Sequence, residues 1–198
     1  MSTSAPDSVE PIVQALLTAA EAKDFRIRAH AERVARYAVE VAEILGLDET
    51  LRHNLRLGAL LHDIGNIGIP DSILLKPSGL ADWEFEEMKM HPLIGVQICK
   101  PLPSLAGALP LIRSHHEKLN GSGYPDGLKG DAIPLSVRIL AVVDVYDTLR
   151  SDRAYRRAFA HDDAMEILRK EIEKGWWQKD IIEILGEMPT PQSDFSPL

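Results

Sequence analysis

The sequence predicts an all-α protein, and three observations carry that reading. Apolar residues recur at three- and four-residue spacing along most of the chain, the pattern of helices with one buried face. No segment alternates apolar and polar residues as a half-buried strand does, and no internal repeat is present. Residues that start or stop helices, including Asp24, Asp48, Pro134 and Gly46, stand at the ends of the periodic stretches. At 198 residues and 45% hydrophobic, the chain can bury the core of one domain.

Residues 1–7 read as frayed. Val9, Ile12, Val13, Leu16, Leu17 and Ala20 then define a first amphipathic helix to about Lys23. Asp24 is placed to cap a second helix, which buries Ile27, Val34, Tyr37, Val41, Ile44 and Leu45 and closes at Gly46. His30 falls within it, where the plainest role is a core histidine held by a carbonyl. Asp48 caps a third helix that ends in His62-Asp63. Residues 65–80 hold three glycines and two prolines and read as a structured loop. A helix from Ala81 or Asp82 to Met90 follows, and His91-Pro92 marks a bend into the next helical piece. A helix over about Ser104–Glu117 carries His115-His116 in its last turn. The stretch Asn120–Gly130, with four glycines in eleven residues, is a loop. Pro134 opens a helix to about Leu149 in which Ile139, Leu140, Val142, Val143 and Val145 are buried. Helices at about Asp162–Lys174 and Trp177–Gly186 follow, and the Pro-rich end from Pro189 reads as loose.

Composition excludes several function classes. No run approaches the roughly 18 apolar residues that cross a bilayer. The first residues lack the basic start and apolar run of an export signal, which points to the cytoplasm. The single cysteine, Cys99, forms no internal disulfide and fits a buried hydrophobe better than a nucleophile. A formal charge of -8 argues against DNA or an anionic membrane as partner. Any anionic ligand then needs local cations.

The chemistry centres on His62-Asp63, where an apolar helical run ends in an imidazole and a hard carboxylate, followed by Gly65 and Gly68. This mixed donor set suits a divalent transition metal. His91, His115 and His116 fall near predicted helix ends, and Asp144 lies in the apolar run Ile139–Val145, where an ionised carboxylate is costly unless paired or metal-bound. Seven donors (His30, His62, Asp63, His91, His115, His116 and Asp144) exceed the needs of one ion and fit two that share Asp63. Paired ions about 3.5–4 Å apart suit phosphate-ester hydrolysis, activating water and stabilising the leaving oxygen. Asp147 is read as support for Asp144, by capping or by pairing with an arginine. Arg150, Arg153, Arg156 and Arg157 recur at three- to four-residue spacing, either as a solvated face paired with Asp147 and Asp152 or as guanidinium forks for phosphate and guanine edges.

His62-Asp63, His115-His116-Glu117, Gly123-Tyr124-Pro125 and Asp144, in that order, resemble the HD-GYP family of cyclic di-GMP phosphodiesterases within the HD superfamily. Ile67-Gly68-Ile69-Pro70, Ile73-Leu74-Leu75-Lys76-Pro77, His91-Pro92 and Asp152-Arg153-Ala154-Tyr155-Arg156 match as well, so the likeness covers about residues 25–185. The resemblance implies an all-α HD core with additional C-terminal helices, over residues 24–188. Residues 1–23 then form an N-terminal helix and extension, and 189–198 a flexible tail. It implies hydrolysis of cyclic di-GMP to pGpG, often onward to GMP, with iron or manganese. His30, His62, Asp63 and Asp144 would hold one ion, and Asp63, His91, His115 and His116 the other. Arg153 and Arg156 match nucleotide-contacting positions, and Gly123-Tyr124-Pro125 forms one wall of the site.

Two departures stand out. Asn66 replaces the family's usual lysine, so a cation at the substrate phosphate becomes a neutral amide. Arg26 stands where trinuclear members carry a glutamate, which favours two ions and pGpG as product. Asn66 also motivates a second reading, a catalytically weakened module that binds the nucleotide or a signalling partner such as a diguanylate cyclase near the Gly-Tyr-Pro loop. A different nucleotide substrate and a homodimer stay open. No receiver-sized segment precedes residue 24, so the expectation is a stand-alone domain or a fragment of a longer protein.

Overall fold

A computed structural model describes residues 9–152 and 156–189. The expected class holds: among the described residues there are helices and no strand, and Asn120 and Lys129 form an isolated antiparallel bridge. No described helix is long and apolar enough to cross a membrane.

α1 (Val9–Glu21), α2 (Arg26–Ile44) and α3 (Glu49–Leu61) pack against one another through Val13, Leu17, Ala20, Ala31, Val34, Ala38, Val41, Leu55 and Leu57, all buried. α2 stops because Gly46 adopts φ +72°. Its N–H reaches Glu43 O at 3.0 Å while Leu47 N–H reaches Ala42 O at 2.9 Å, a Schellman closure that satisfies the last carbonyls. The start of α2 differs slightly from expectation: the helix begins at Arg26, and Asp24 accepts the Arg26 N–H from one residue outside the cap. Asp48 does cap α3, accepting the Leu51 N–H at 2.8 Å. Asp48→Ala is expected to lower unfolding free energy by about 1 kcal/mol in urea titrations; an unchanged midpoint would mean that the capping bond contributes nothing net.

α8 (Leu135–Arg150) runs through the centre and is buried on nearly all sides, from Ile139 through Asp147, with Val145 only half-buried. α2 and α3 lie against it, and α9 (His161–Glu173) and α10 (Lys179–Glu187) cover it further along the chain. Trp177 is not in α10 as expected. It is buried ahead of the helix, its indole N–H donating to Glu171 at 2.7 Å.

Between α3 and α8 the chain is more broken than the sequence suggests. The expected 65–80 loop contains a 3-10 turn, Ile64–Gly68, and a one-turn helix α4 (Asp71–Leu74). α5 (Asp82–Met88) ends two residues early, before the bend into α6 (His91–Cys99). The expected Ser104–Glu117 helix is a 3-10 stretch, Pro103–Ala108, followed by the short α7 (Leu109–Ser114). Pro103 and Pro110 each open a new helical piece, because a proline ring fits a first turn and not an interior.

Candidate metal centre

Four helix ends and two helix interiors deliver the donors to one place. His62 is the C-cap of α3, and Asp63 heads the 3-10 turn that follows. His91 opens α6 ahead of Pro92, and His115 is the C-cap of α7, so His115 and His116 stand just past a helix end rather than in a last turn. There the helical constraint on adjacent side chains is relaxed, and both rings reach the same ligand position. His30 comes from α2 and Asp144 from α8.

One close approach binds these pieces. A Cβ on Gly65 would lie 1.8 Å from the His91 carbonyl oxygen and 2.7 Å from Gly95 N. Only glycine lets the turn carrying Asp63 sit directly on the first turn of α6, and so beside His91.

The donor atoms form two groups, each with its members within 4.8 Å of one another: Asp63, His91, His115 and His116, and His30, His62 and Asp144. Asp63 faces both. Its Oδ1 lies 3.4 Å from His91 Nε2 and 4.0 Å from His115 Nε2, and its Oδ2 lies 3.6 Å from His62 Nε2.

The proton positions follow from the ring partners. Nδ1 of His62, His91 and His115 each faces a backbone carbonyl three residues back, of Ala59 at 2.7 Å, Met88 at 2.8 Å and Ile112 at 3.0 Å. A carbonyl only accepts, so each Nδ1 carries the proton and each Nε2 presents a lone pair to the centre. His91 Nε2 then stands 3.2 Å from Nε2 of both His115 and His116. His62 Nε2 is buried with no hydrogen-bond partner among the described residues, its carboxylate neighbours being 3.6 and 3.7 Å away. Lone pairs converging on carboxylate oxygens repel unless a cation lies among them. The residues fit divalent metal ions.

The charge states of Asp63, Asp144, His115 and His116 agree. Burial opposes ionisation of Asp63 and Asp144, yet the surrounding imidazoles hold both well below the usual carboxylate range. Burial and neighbouring histidines push His115 far down and His116 to about 3, keeping both rings neutral, the form that ligates metal. His30 goes the other way: burial lowers it, but Asp144 and Asp147 outweigh burial and raise it to about 10.

His30 is not held by a carbonyl, as expected, but by two carboxylates. Its Nδ1 meets Asp147 Oδ2 at 2.7 Å and its Nε2 meets Asp144 Oδ1 at 3.1 Å. Asp147 is gripped in turn by Arg33, with Nε and Nη2 at 2.7 and 2.9 Å. Asp147 thus orients the His30 ring, and its arginine partner is Arg33 of α2. Arg33 lies one turn after His30 on the same face, a spacing that could have revealed it.

The glycine-rich loop closes one side. A Cβ on Gly123 would lie 2.4 Å from Glu117 Cα, so this residue must be glycine for the loop to cross the His116-Glu117 backbone. Tyr124 N–H donates to His116 O at 3.3 Å, and its ring stacks on His116 at 4.7 Å, followed by a cis bond to Pro125. Burial and the nearby Asp63 and Asp144 carboxylates raise the Tyr124 phenol, so it stays protonated. Glu117 is buried and accepts the Asp126 and Leu128 N–H groups at 2.7 and 3.0 Å, pinning the far limb.

Asn66 is buried in the 3-10 turn beside Asp63, and its Oδ1 has no hydrogen-bond partner among the described residues. Arg156 donates to the carbonyls of Thr148 and Leu149 at 2.7 and 3.0 Å, capping the C-terminal end of α8. Arg150 donates to Phe159 O and Arg157 pairs with Asp152, so the expected arginine face divides into separate contacts. Arg153 lies outside the described residues.

Comparison with known proteins agrees with this architecture. The HD domain family pattern matches residues 14–181. The chain is 46% identical over 156 residues to the cyclic di-GMP phosphodiesterase response regulator RpfG of Xanthomonas campestris pv. campestris, covering 77% of this chain and 41% of that protein. It is 37% identical over 164 residues to the 3'3'-cGAMP-specific phosphodiesterase 3 of Vibrio cholerae, covering 83% of this chain and 36% of that one. The chain therefore spans less than half the length of these curated relatives. Among solved structures, the HDG"Y"P protein Bd1817 of Bdellovibrio bacteriovorus shares the fold with a TM-score of 0.67 at 22% identity, over 81% of this chain and 51% of that one. The chain belongs to the HD-domain family, in its HD-GYP branch.

Proposed function

We propose that this chain is a metal-dependent phosphodiesterase that opens cyclic di-GMP, mainly to linear pGpG. The observation that carries the reading is the convergence of buried imidazole nitrogens on both oxygens of Asp63. His30, His62, Asp63 and Asp144 would hold one ion, and Asp63, His91, His115 and His116 a second. Imidazole with carboxylate suits iron or manganese. Such ions supply Lewis acidity and lower the pKa of water, the chemistry that phosphodiester hydrolysis needs. The relatives' names supply the substrate class, cyclic dinucleotides containing guanine. A cytoplasmic setting agrees with the one thiol, Cys99, being buried and unpaired.

The protein's own residues orient and select. Asp147, clamped by Arg33, fixes the His30 ring, so Asp147→Asn is expected to weaken metal affinity about 10- to 100-fold by competitive chelator titration. Unchanged affinity would show that His30 needs no such support. Tyr124, held over His116, walls the site as a neutral phenol. Arg156 is engaged by the carbonyls at the end of the helix that carries Asp144, which leaves Arg153 as the arginine assigned to the nucleotide.

Asn66 favours a second reading, a module that binds the nucleotide or a partner such as a diguanylate cyclase with little turnover. Asn66→Lys distinguishes the two by steady-state kinetics on cyclic di-GMP. Restoring a cation beside a developing phosphate charge is expected to raise kcat about tenfold or more. Wild type and variant both inert with metal bound would favour the binding module.

A further inference from the structure

A cleft of about 430 Å³ opens onto the metal centre, with His115, His116 and Tyr124 in its lining. Phe85 and Tyr124 form one side, edge to face at 6.2 Å, and Trp176 and Trp177 line another part. Aromatic walls of this kind hold nucleobases, whatever the base, because every base has a π-face. Lys89 and Ser122 stand on the Phe85–Tyr124 side and Lys118 and Glu171 on the tryptophan side, and the last two meet at one indole. Lys118 places its ammonium 3.3 Å from the centre of the Trp176 ring, a cation within an acidic chain. Glu171 uses Oε2 to accept the Trp177 indole N–H at 2.7 Å, while Oε1 has no hydrogen-bond partner among the described residues. Lys118 also stands 5.9 Å from the Trp177 ring, so donor and acceptor meet around the same indole.

We propose that this cleft is a guanine seat, in which the Glu171 carboxylate accepts guanine N1–H and N2–H while the Lys118 ammonium donates to O6. Guanine offers a carboxylate two adjacent donors beside an acceptor, and charge-assisted paired hydrogen bonds of this type are strong. Adenine offers one donor on that edge, at N6, next to the bare N1 acceptor. The seat selects guanine over adenine in whichever half of a cyclic dinucleotide it receives. The inference deepens the cyclic-dinucleotide reading above and rests on it, since the cleft adjoins the proposed hydrolytic centre.

The test uses the metal-loaded protein and two mononucleotides, 5'-GMP and 5'-AMP, which carry no phosphodiester to cleave. Binding is followed by quenching of tryptophan fluorescence and checked by equilibrium dialysis. Wild type is expected to bind GMP about tenfold tighter than AMP or better, and Glu171→Gln to reduce that preference about tenfold. The glutamine oxygen can still accept the Trp177 indole, so the packing survives. Lys118→Met, which keeps the side chain's length over Trp176, is expected to lower the preference in the same direction. Equal binding of GMP and AMP by wild type, or an unchanged ratio in both variants, overturns the proposal. Turnover of cyclic di-GMP by the wild type is recorded on the same preparation. Turnover with no effect of Glu171 or Lys118 on base preference refutes the seat alone. Base preference that depends on Glu171 without turnover supports the seat and refutes hydrolysis.

Discussion

Replacing Asp63 by alanine is expected to reduce bound metal from two ions per chain to one or none and to lower cyclic di-GMP turnover by about 1,000-fold or more. Among the described residues, Asp63 is the side chain whose two oxygens face different donor groups, Oδ2 towards His62 and Oδ1 towards His91 and His115. Without it, the His91, His115 and His116 group has no carboxylate left, and the His30 and His62 group keeps only Asp144. The position is close to the surface, with a quarter of the side chain exposed, so the fold is expected to persist. Elemental analysis of the desalted variant, run beside kinetics, checks both parts. Retention of two ions would show that Asp63 does not bridge.

Gly65→Ala is expected to cost about 3 kcal/mol of unfolding free energy, the upper end of overpacking penalties, and to impair metal uptake with it. The added methyl would fall 1.8 Å from the His91 carbonyl, which is backbone in the first turn of α6 and cannot swing away as a side chain can. Relief requires the Asp63 turn and α6 to separate, and that displaces Asp63 from His91. Gly79→Ala is the control. A Cβ there meets nothing within 4 Å, so its effect should stay within about 0.5 kcal/mol. Urea unfolding of both variants, followed by chelator-competition titration, checks the contrast. Equal stability of the two would mean that the close packing is not required.

The parts of this architecture that sequence reading reaches are those with local causes. Apolar spacing located α1, α2, α3 and α8, and Asp48 and Gly46 act at the ends where capping chemistry places them. Asp144 was conspicuous because a carboxylate inside an apolar helix needs a partner, and it has His30 at 3.1 Å. What stayed hidden depends on tertiary contacts. The pattern over Ser104–Glu117 looks helical throughout, but Pro110 divides it into a 3-10 stretch and the short α7, and His115 and His116 fall beyond the end of α7. The partner of Asp147 is Arg33, more than one hundred positions away in sequence, so spacing along α8 suggested nearer arginines instead. Arg156 resembled a free fork, yet its guanidinium turns back onto the carbonyls of its own preceding helix. Glu171 and Trp176 carry no motif at all, and only the folding of α9 towards the glycine-rich loop brings them beside His116.

Anaerobic incubation of the iron- or manganese-loaded protein with cyclic di-GMP, with products resolved by chromatography, tests the central claim most directly. The expected main product is pGpG, its formation abolished by a chelator and restored by added metal. Unchanged cyclic di-GMP at full metal occupancy would contradict it.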